Sequence, residues 1–381
     1  MKKFFICVNI PMVLQFFEGN YQFLSKTFNV KVISSDKEAL SEFGKKEGVQ
    51  TICIPMSRSI SFIRDFWCLL RYIFLFLTER PQVVHGNTPK AGLLSMLAAW
   101  ITRVPVRIYM CHGLRYQGSE GKFRSLLMYM EKLTCACASE VICVSHGVRS
   151  TLISDGICSA EKAVMVGEGS ANGIDLEEFS RFSKTLPTLS IREQLAIPAD
   201  AFVFVFVGRM VREKGINELV QAFVKLQEEQ LNTYLLFVGY EEAIDPILPE
   251  TREVIQQHDH ILAVGYQEDV RPYMLASNAL VLPSYREGFG MVLAEAGALD
   301  IPCIATDVLG CNEVIIPGEN GELIPPRDVE ALYDKMWEWC MQPAYMQELS
   351  QRARYYVACR YDRRVVQQLL LVEYLRLVKS H

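Results

Sequence analysis

Ala279-Leu-Val-Leu-Pro-Ser-Tyr-Arg-Glu-Gly-Phe-Gly-Met-Val-Leu-Ala-Glu295 decides the fold. Four apolar residues stop at Pro283, a polar loop with two glycines follows, and apolar residues resume at helical spacing from Gly290. A short apolar run that breaks into a glycine-containing loop and then a helix is the building unit of a parallel sheet. The same unit recurs on both sides. Downstream of residue 200, Phe202–Val207, Tyr234–Val238, Ile261–Val264, Cys303–Ala305 and Glu322–Ile324 read as further strands. Helical patterns cover 215–230, 246–258, 269–276, 290–299 and 327–342, and the end, 343–379, reads as helical. Upstream, the strands are Phe4–Val8, Val30–Ser34, Gln50–Ile54, Val83–His85, Val106–Cys111, Val141–Val144 and Ala163–Val166. Their helices are 36–46, 58–79, 89–102, 122–138 and 146–155. Between the two series, residues 168–200 are short polar pieces with Pro187 and Pro198. The expected class is α/β, with two doubly wound domains over 1–180 and 181–360 facing across a cleft, and a C-terminal helix over 361–381 packing back on the first.

Composition agrees with this size. A chain of 381 residues, 50% hydrophobic and 22% charged, has material for two cores and is neither disordered nor collagen-like. A formal net charge of −5 argues against a dedicated nucleic-acid binder, which carries a strong basic excess. The balance is uneven, however: residues 1–180 carry a formal +4 and residues 181–381 a formal −9. The 12 cysteines include no Cys-x-x-Cys pair and lie inside apolar strings, so they read as buried free thiols rather than metal ligands. The start, Met1-Lys-Lys-Phe-Phe-Ile-Cys-Val, imitates a signal peptide, but Asn9, Pro11 and Gln15 interrupt the run, and a first buried strand fits better. Ile60–Leu77 is cut by Arg64, Asp65 and Arg71, short of the ~20 uninterrupted apolar residues of a membrane span.

Three stretches carry candidate chemistry, each at the end of a strand. In the opening stretch, Gly288 and Gly290 let backbone approach a ligand, and the free N–H groups at the helix start suit a phosphate oxygen. Glu287 faces sugar hydroxyls and Glu295 reaches a ribose diol on this reading; a solvated loop glutamate and a core-edge glutamate are the alternatives. In Phe206-Val-Gly-Arg-Met-Val-Arg-Glu-Lys-Gly215, Arg209 and Lys214 can converge on a diphosphate, or be two surface cations beside a helix whose dipole they oppose. In Tyr109-Met-Cys-His-Gly113, His112 can meet a sugar or a developing charge, or be a satisfied structural histidine.

Together these residues resemble the retaining glycosyltransferases of family 4, which have the GT-B fold of two Rossmann-like domains. The likeness covers nearly the whole chain, including Gly169-Ser-Ala-Asn-Gly-Ile-Asp175 and Gly318-Glu-Asn-Gly-Glu-Leu-Ile-Pro325. His85-Gly-Asn-Thr-Pro-Lys-Ala-Gly92 looks like a subgroup that builds bacterial surface polysaccharide on a polyprenyl-diphosphate lipid. The resemblance implies a nucleotide-sugar donor, UDP-linked, carrying a hexose or N-acetylhexosamine. It gives the donor diphosphate to Arg209, Lys214 and the N–H groups of Phe289 and Gly290, the donor sugar to Glu287 and His112, the ribose to Glu295, and the base to the loop of Tyr266. It implies no metal and no cofactor. The chain departs from many relatives after the first strand, where Asn9–Gly19 replaces a glycine-rich loop.

On the acceptor side, Asn87 and Lys90 are candidates for the diphosphate of a polyprenyl-linked saccharide. Residues 58–79 place Arg58, Arg64, Arg71 and Arg80 among Phe62, Phe66, Trp67, Leu70, Phe74 and Phe76. That stretch reads as an ordinary sheet-covering helix or as one lying on an anionic membrane surface. The expected place is the cytoplasm, peripheral at the inner face of the membrane. A nucleotide-sugar 2-epimerase of similar fold and a non-catalytic sugar-nucleotide-binding partner are the competing functions.

Overall fold

The computed structural model describes residues 1–17, 19–57, 60–184, 186 and 190–380; Glu18, Arg58 and Pro187 lie outside them. The chain forms two compact units. One comprises Met1–Gly173 with Arg363–His381, the other Ile174–Asp362.

The first unit contains β1 (Lys3–Cys7), β2 (Asn29–Ser34), β3 (Gln50–Cys53), β4 (Val83–Asn87), β5 (Val106–Cys111), β6 (Glu140–Cys143) and β7 (Ala163–Met165). All pair in parallel, in the order β3-β2-β1-β4-β5-β6-β7. The helices α1 (Asn20–Ser25), α2 (Lys37–Glu47), α3 (Phe62–Glu79), α4 (Pro89–Ile101), α5 (Gly121–Cys137) and α6 (His146–Ser154) fill the crossovers. Strands covered on both faces are buried along their length, as β4 and β6 are, and the polar His85, Asn87 and Glu140 within them are buried too. Helix ends follow local chemistry. Asp36 caps α2 by accepting the N–H groups of Glu38 and Ala39, and Gly48 closes it at φ 67°. The Asn9–Gly19 segment is not an open loop: Pro11–Phe17 winds into a 3₁₀ turn, and Gly19 at φ 76° opens α1.

Helix α3 has one buried apolar face and one exposed apolar face. Cys68, Tyr72 and Phe76 are buried, with the Phe76 ring 6.1 Å from that of Phe5 in β1. Phe62, Ile63, Phe66, Trp67, Phe74 and Leu77 are exposed. No helix among the described residues is long and apolar enough to cross a membrane.

The second unit contains α7 (Ile191–Gln194), β8 (Phe202–Val207), α8 (Ile216–Glu228), β9 (Thr233–Val238), α9 (Pro249–Gln257), β10 (Ile261–Ala263), α10 (Arg271–Leu275), β11 (Ala279–Leu282), α11 (Met291–Ala298), β12 (Cys303–Thr306), β13 (Gly321–Ile324), α12 (Val329–Met341) and α13 (Pro343–Tyr361). Its six parallel strands run β10-β9-β8-β11-β12-β13. The Phe-Val-Phe-Val-Phe-Val of β8 is central and buried, as a strand covered on both faces requires. The C-terminal stretch is two helices, not one. It breaks at Asp362, where Ile174 pairs with the chain and its N–H donates to Tyr361 O at 2.7 Å. After the break, α14 (Arg363–Ser380) belongs to the first unit, with the Tyr374 ring 5.2 Å from Phe4 and 5.6 Å from His85. All twelve cysteines are free and nine are buried, so packing rather than cross-links holds both cores.

One buried carboxyl in the first unit ties stability to pH. Glu131 on α5 accepts Tyr109 Oη at 2.8 Å, and burial pushes its pKa up from 4.5 to about 7, against the lowering effect of Tyr109 and Cys111. The folded chain therefore holds a proton that the unfolded chain releases. Its contribution is full below pH 4.5 and is lost as pH rises through 7, about 3 kcal/mol in all. Glu131→Gln cannot ionise. Its melting temperature should match the wild type at pH 5 and exceed it by several degrees at pH 8; a gap that stays constant with pH, read by scanning fluorimetry, would contradict this.

Candidate functional site

In the second unit, strand order reverses between β8 and β11. The loops leaving these neighbouring strands open side by side at the carboxyl edge, where doubly wound sheets bind ligands. They are the two stretches that the sequence singled out, 208–215 and 283–290. Their backbones touch. The Tyr285 N–H donates to Glu213 O at 2.8 Å. Gly215 sits at φ 71°, and a Cβ there would stand 2.1 Å from Pro283 O, so the approach requires glycine. Behind them, Gly310 at φ 82° leaves a Cβ only 2.9 Å from the Gly288 carbonyl.

The side chains on these loops form two charged groups. Lys214 Nζ pairs with Glu287 Oε1, at 18% and 13% side-chain exposure, and Ser284 Oγ donates to the same oxygen at 2.8 Å. Arg209 reaches Glu242 Oε2 through Nη1 at 2.7 Å and Glu213 Oε1 through Nη2 at 3.4 Å. Arg286 Nη2 donates to the second oxygen of Glu213 at 2.6 Å. Burial opposes the charge on Arg209, but Glu242 and then Glu213 outweigh it, and its pKa lies above the ordinary value. The Gly290 N–H, expected to meet a phosphate, donates to Gly310 O at 3.0 Å. Glu295 is half-buried in the second turn of α11. Tyr266, beyond β10, is 55% exposed with its ring 6.2 Å from Tyr240 beyond β9.

Glu213, Glu242 and Ser284 were not anticipated. Glu213 lies inside the quoted Arg-Met-Val-Arg-Glu-Lys run, where the pattern of cations drew the reading. Glu242 follows β9, and only the register of β8 on β9, Val207 opposite Val238, brings it to Arg209.

In the first unit, order reverses between β1 and β4. His112, beyond β5, places Nε2 3.0 Å from Asn87 Oδ1 at the end of β4. Asn87 Nδ2 stands 2.9 Å from His85 Nδ1, and His85 Nε2 is 3.2 Å from Tyr374 Oη. The Phe17 ring meets both imidazoles edge-on, at 6.5 Å from His85 and 5.7 Å from His112. Burial pushes His112 down to about 4; burial, then the charge of His112, pushes His85 down to about 3. Both are neutral at pH 7. Asn87, expected at an acceptor diphosphate, is wholly buried with its amide on the two histidines. Lys90 Nζ is 2.6 Å from Asp65 of α3 and 2.9 Å from Ser57 O. Among the described residues, no group of three or more His, Cys, Asp or Glu could hold a metal ion.

Two family models match this chain. Residues 22–178 match Glycosyltransferase Family 4, and residues 188–356 match Glycosyl transferases group 1. The chain is 32% identical, over 88% of its length and 87% of the relative's, to the capsular polysaccharide biosynthesis glycosyltransferase CapM of Staphylococcus aureus. The chain belongs to glycosyltransferase family 4. This glycosyltransferase is also 24% identical, over 82% of its length and 80% of the relative's, to an Escherichia coli UDP-Gal:α-D-GlcNAc-diphosphoundecaprenol α-1,3-galactosyltransferase. Its fold is GT-B. It matches the Anabaena protein Alr3699/HepE solved with UDP and glucose at TM-score 0.79, 18% identity, covering 99% of this chain and 100% of that one. A glycosyltransferase from Rickettsia africae matches at TM-score 0.80, 20% identity, covering 100% and 99%.

Proposed function

We propose that this glycosyltransferase moves a hexose or N-acetylhexosamine, with retention of configuration, from a UDP-linked donor to a polyprenyl-diphosphate-linked saccharide during assembly of a bacterial surface polysaccharide such as capsule or O-antigen. The carrying observation is the pair of charged groups, Arg209 with Glu242 and Glu213, and Lys214 with Glu287 and Ser284, at the reversal point of the second sheet. The printed names of the Staphylococcus aureus and Escherichia coli relatives support the pathway and the acceptor class.

Departure of a nucleoside diphosphate leaves charge that must be neutralised. Fixed cations in a partly dry site do this well, because they need no reorganisation as the bond breaks. Arg209 offers a planar fork to two phosphate oxygens and Lys214 a point charge. The Phe289 N–H and the start of α11 add dipole. Glu287, held by Lys214 and Ser284, accepts hydroxyls of the donor sugar. Glu295 takes the ribose, Tyr266 stacks on the base, and Lys90 remains the acceptor-side cation. Incubation with UDP-, GDP- and ADP-sugars and a polyprenyl-diphosphate saccharide tests the reading. A lipid-linked product from a UDP-sugar, its new linkage keeping the donor's anomeric configuration by NMR, is expected. An inverted linkage, or an epimerised sugar nucleotide formed without acceptor, would contradict it.

An anionic membrane surface completes the proposal. The first unit holds 24 Lys and Arg against 14 Asp and Glu, a formal +10; the second holds 15 against 30, a formal −15. On α3, Arg64 and Arg71 are exposed beside the six apolar residues. Exposed apolar area with cations suits the headgroup boundary of an anionic bilayer, at about 1 kcal/mol per cation near the surface. Full-length protein should pellet with phosphatidylglycerol-containing vesicles, less so at high salt, and Phe66→Glu/Trp67→Glu should stay in the supernatant. Equal pelleting of wild type and variant would remove this part.

A further inference from the structure

We infer that Asn87, backed by His85 and Tyr374, is a positioning residue that holds His112 in a single neutral tautomer with Nδ1 as a hydrogen-bond acceptor. The inference rests on the proposed place of His112 beside the donor sugar. It follows from donor and acceptor bookkeeping along one chain of contacts. Asn87 Nδ2 lies 2.9 Å from His85 Nδ1 and 3.4 Å from the His85 carbonyl oxygen. A carbonyl oxygen only accepts, so the atom facing it is the amide nitrogen and not Oδ1. With that orientation set, Nδ2 donates to His85 Nδ1, and neutral His85 carries its proton on Nε2. Nε2–H then donates to Tyr374 Oη, 3.2 Å away. On the other side, Asn87 Oδ1 accepts from His112 Nε2 at 3.0 Å, so His112 carries its proton there. Its Nδ1 keeps a lone pair, and among the described residues nothing donates to it.

The parts come from four places in the chain. His85 and Asn87 are alternate residues of β4, so both point to the same face of the sheet. Phe17, from the 3₁₀ turn that replaces a glycine-rich loop, packs its ring against both imidazoles. Tyr374 arrives on α14, from the far end of the sequence. The titratable groups around His112 are His85 and Tyr374 through Asn87, and Cys111 next to it with Glu131 3.7 Å from the Cys111 thiol. His85, Tyr374 and Cys111 are neutral at pH 7 and Glu131 is close to its midpoint, and burial accounts for the lowering at His112. A neutral imidazole with one bare nitrogen accepts from a sugar hydroxyl; the other tautomer would present a donor instead. A wrongly held tautomer cripples histidine chemistry even when the ring stays in place.

Nitrogen-15 NMR of the full-length protein labelled at histidine, assigned with His85→Gln and His112→Gln, tests this without substrate. The wild type should show His112 protonated at Nε2 and neutral from pH 7.5 to 5.5. Asn87→Ala should show mixed His112 tautomers and titration closer to an ordinary imidazole. Transfer by Asn87→Ala should fall about tenfold or more in kcat, with donor KM within about twofold; Tyr374→Phe should show a smaller effect of the same kind. A wild-type His112 protonated at Nδ1, an unchanged tautomer in Asn87→Ala, or unchanged kcat in that variant would overturn the assignment. Failure of the functional reading is separate: it appears as absence of transfer by the wild type, while the tautomer spectra still decide the role of Asn87.

Discussion

Lys214→Met and Glu287→Gln, made singly, are each expected to lower sugar transfer by about 10²–10³-fold. They should also lower stability, and the double variant should regain the stability without regaining transfer. The reason lies in the burial of the pair. Both side chains are less than one-fifth exposed, so removing one partner leaves a charge with little water around it. Such a break costs about 3 kcal/mol or more, whereas replacing both partners by neutral groups of similar shape is close to neutral. Ser284 can still donate to the amide oxygen of a glutamine at 287. Transfer should behave differently, because on the proposed function the ammonium acts on the leaving diphosphate and the carboxylate on the donor sugar. Thermal melts paired with a radiolabelled transfer assay separate the two roles. A double variant that recovers both would mean that the pair only supports the fold.

Gly215→Ala is expected to cost the second unit about 3 kcal/mol, a drop of roughly 6–12 °C in its melting temperature, with loss of transfer. Two penalties add. The residue sits at φ 71°, a left-handed conformation worth about 1–2 kcal/mol against any residue with a Cβ. The new methyl would also meet Pro283 O at 2.1 Å, so one loop must move away from the other. That movement parts Tyr285 N–H from Glu213 O and shifts Lys214, the neighbouring residue, away from Glu287. Gly318→Ala is the control. It has φ 77° but open space around its Cβ position, so it should show the backbone penalty alone, about 1 kcal/mol, and normal transfer. Equal losses from the two variants, by melt and by assay, would show that the loop contact contributes nothing.

Much of this molecule was legible before its structure. The continuous apolar run Phe202–Val207 could only be a strand covered on both faces, and the Ala279–Glu295 stretch carried its strand, loop and helix in order. Gly288 and Gly290 were read as points of close backbone approach to a ligand, whereas the close approach at Gly215 was not. Contacts between segments distant in sequence were not legible. A C-terminal helix over 361–381 packing back on the first domain was expected, but the break at Asp362 that begins α14 has nothing unusual around it in sequence. Asn87 looked like a ligand because it is polar and ends a strand; the register of β4 on β5 puts it against His112 and out of water. Glu242 needed the pairing of β8 with β9, and the Gly290 amide needed the loop of Gly310. Residues 58–79 looked ambiguous because α3 carries a buried apolar face and an exposed one.

Calorimetric titration of UDP into the full-length wild type, Arg209→Ala and Lys214→Ala tests the central claim most directly, because it reads diphosphate recognition without an acceptor. The wild type should bind UDP, and each variant should bind it at least about tenfold more weakly, the worth of one charge-assisted hydrogen bond. Equal affinity in all three proteins would contradict the assignment of the donor diphosphate to these two cations.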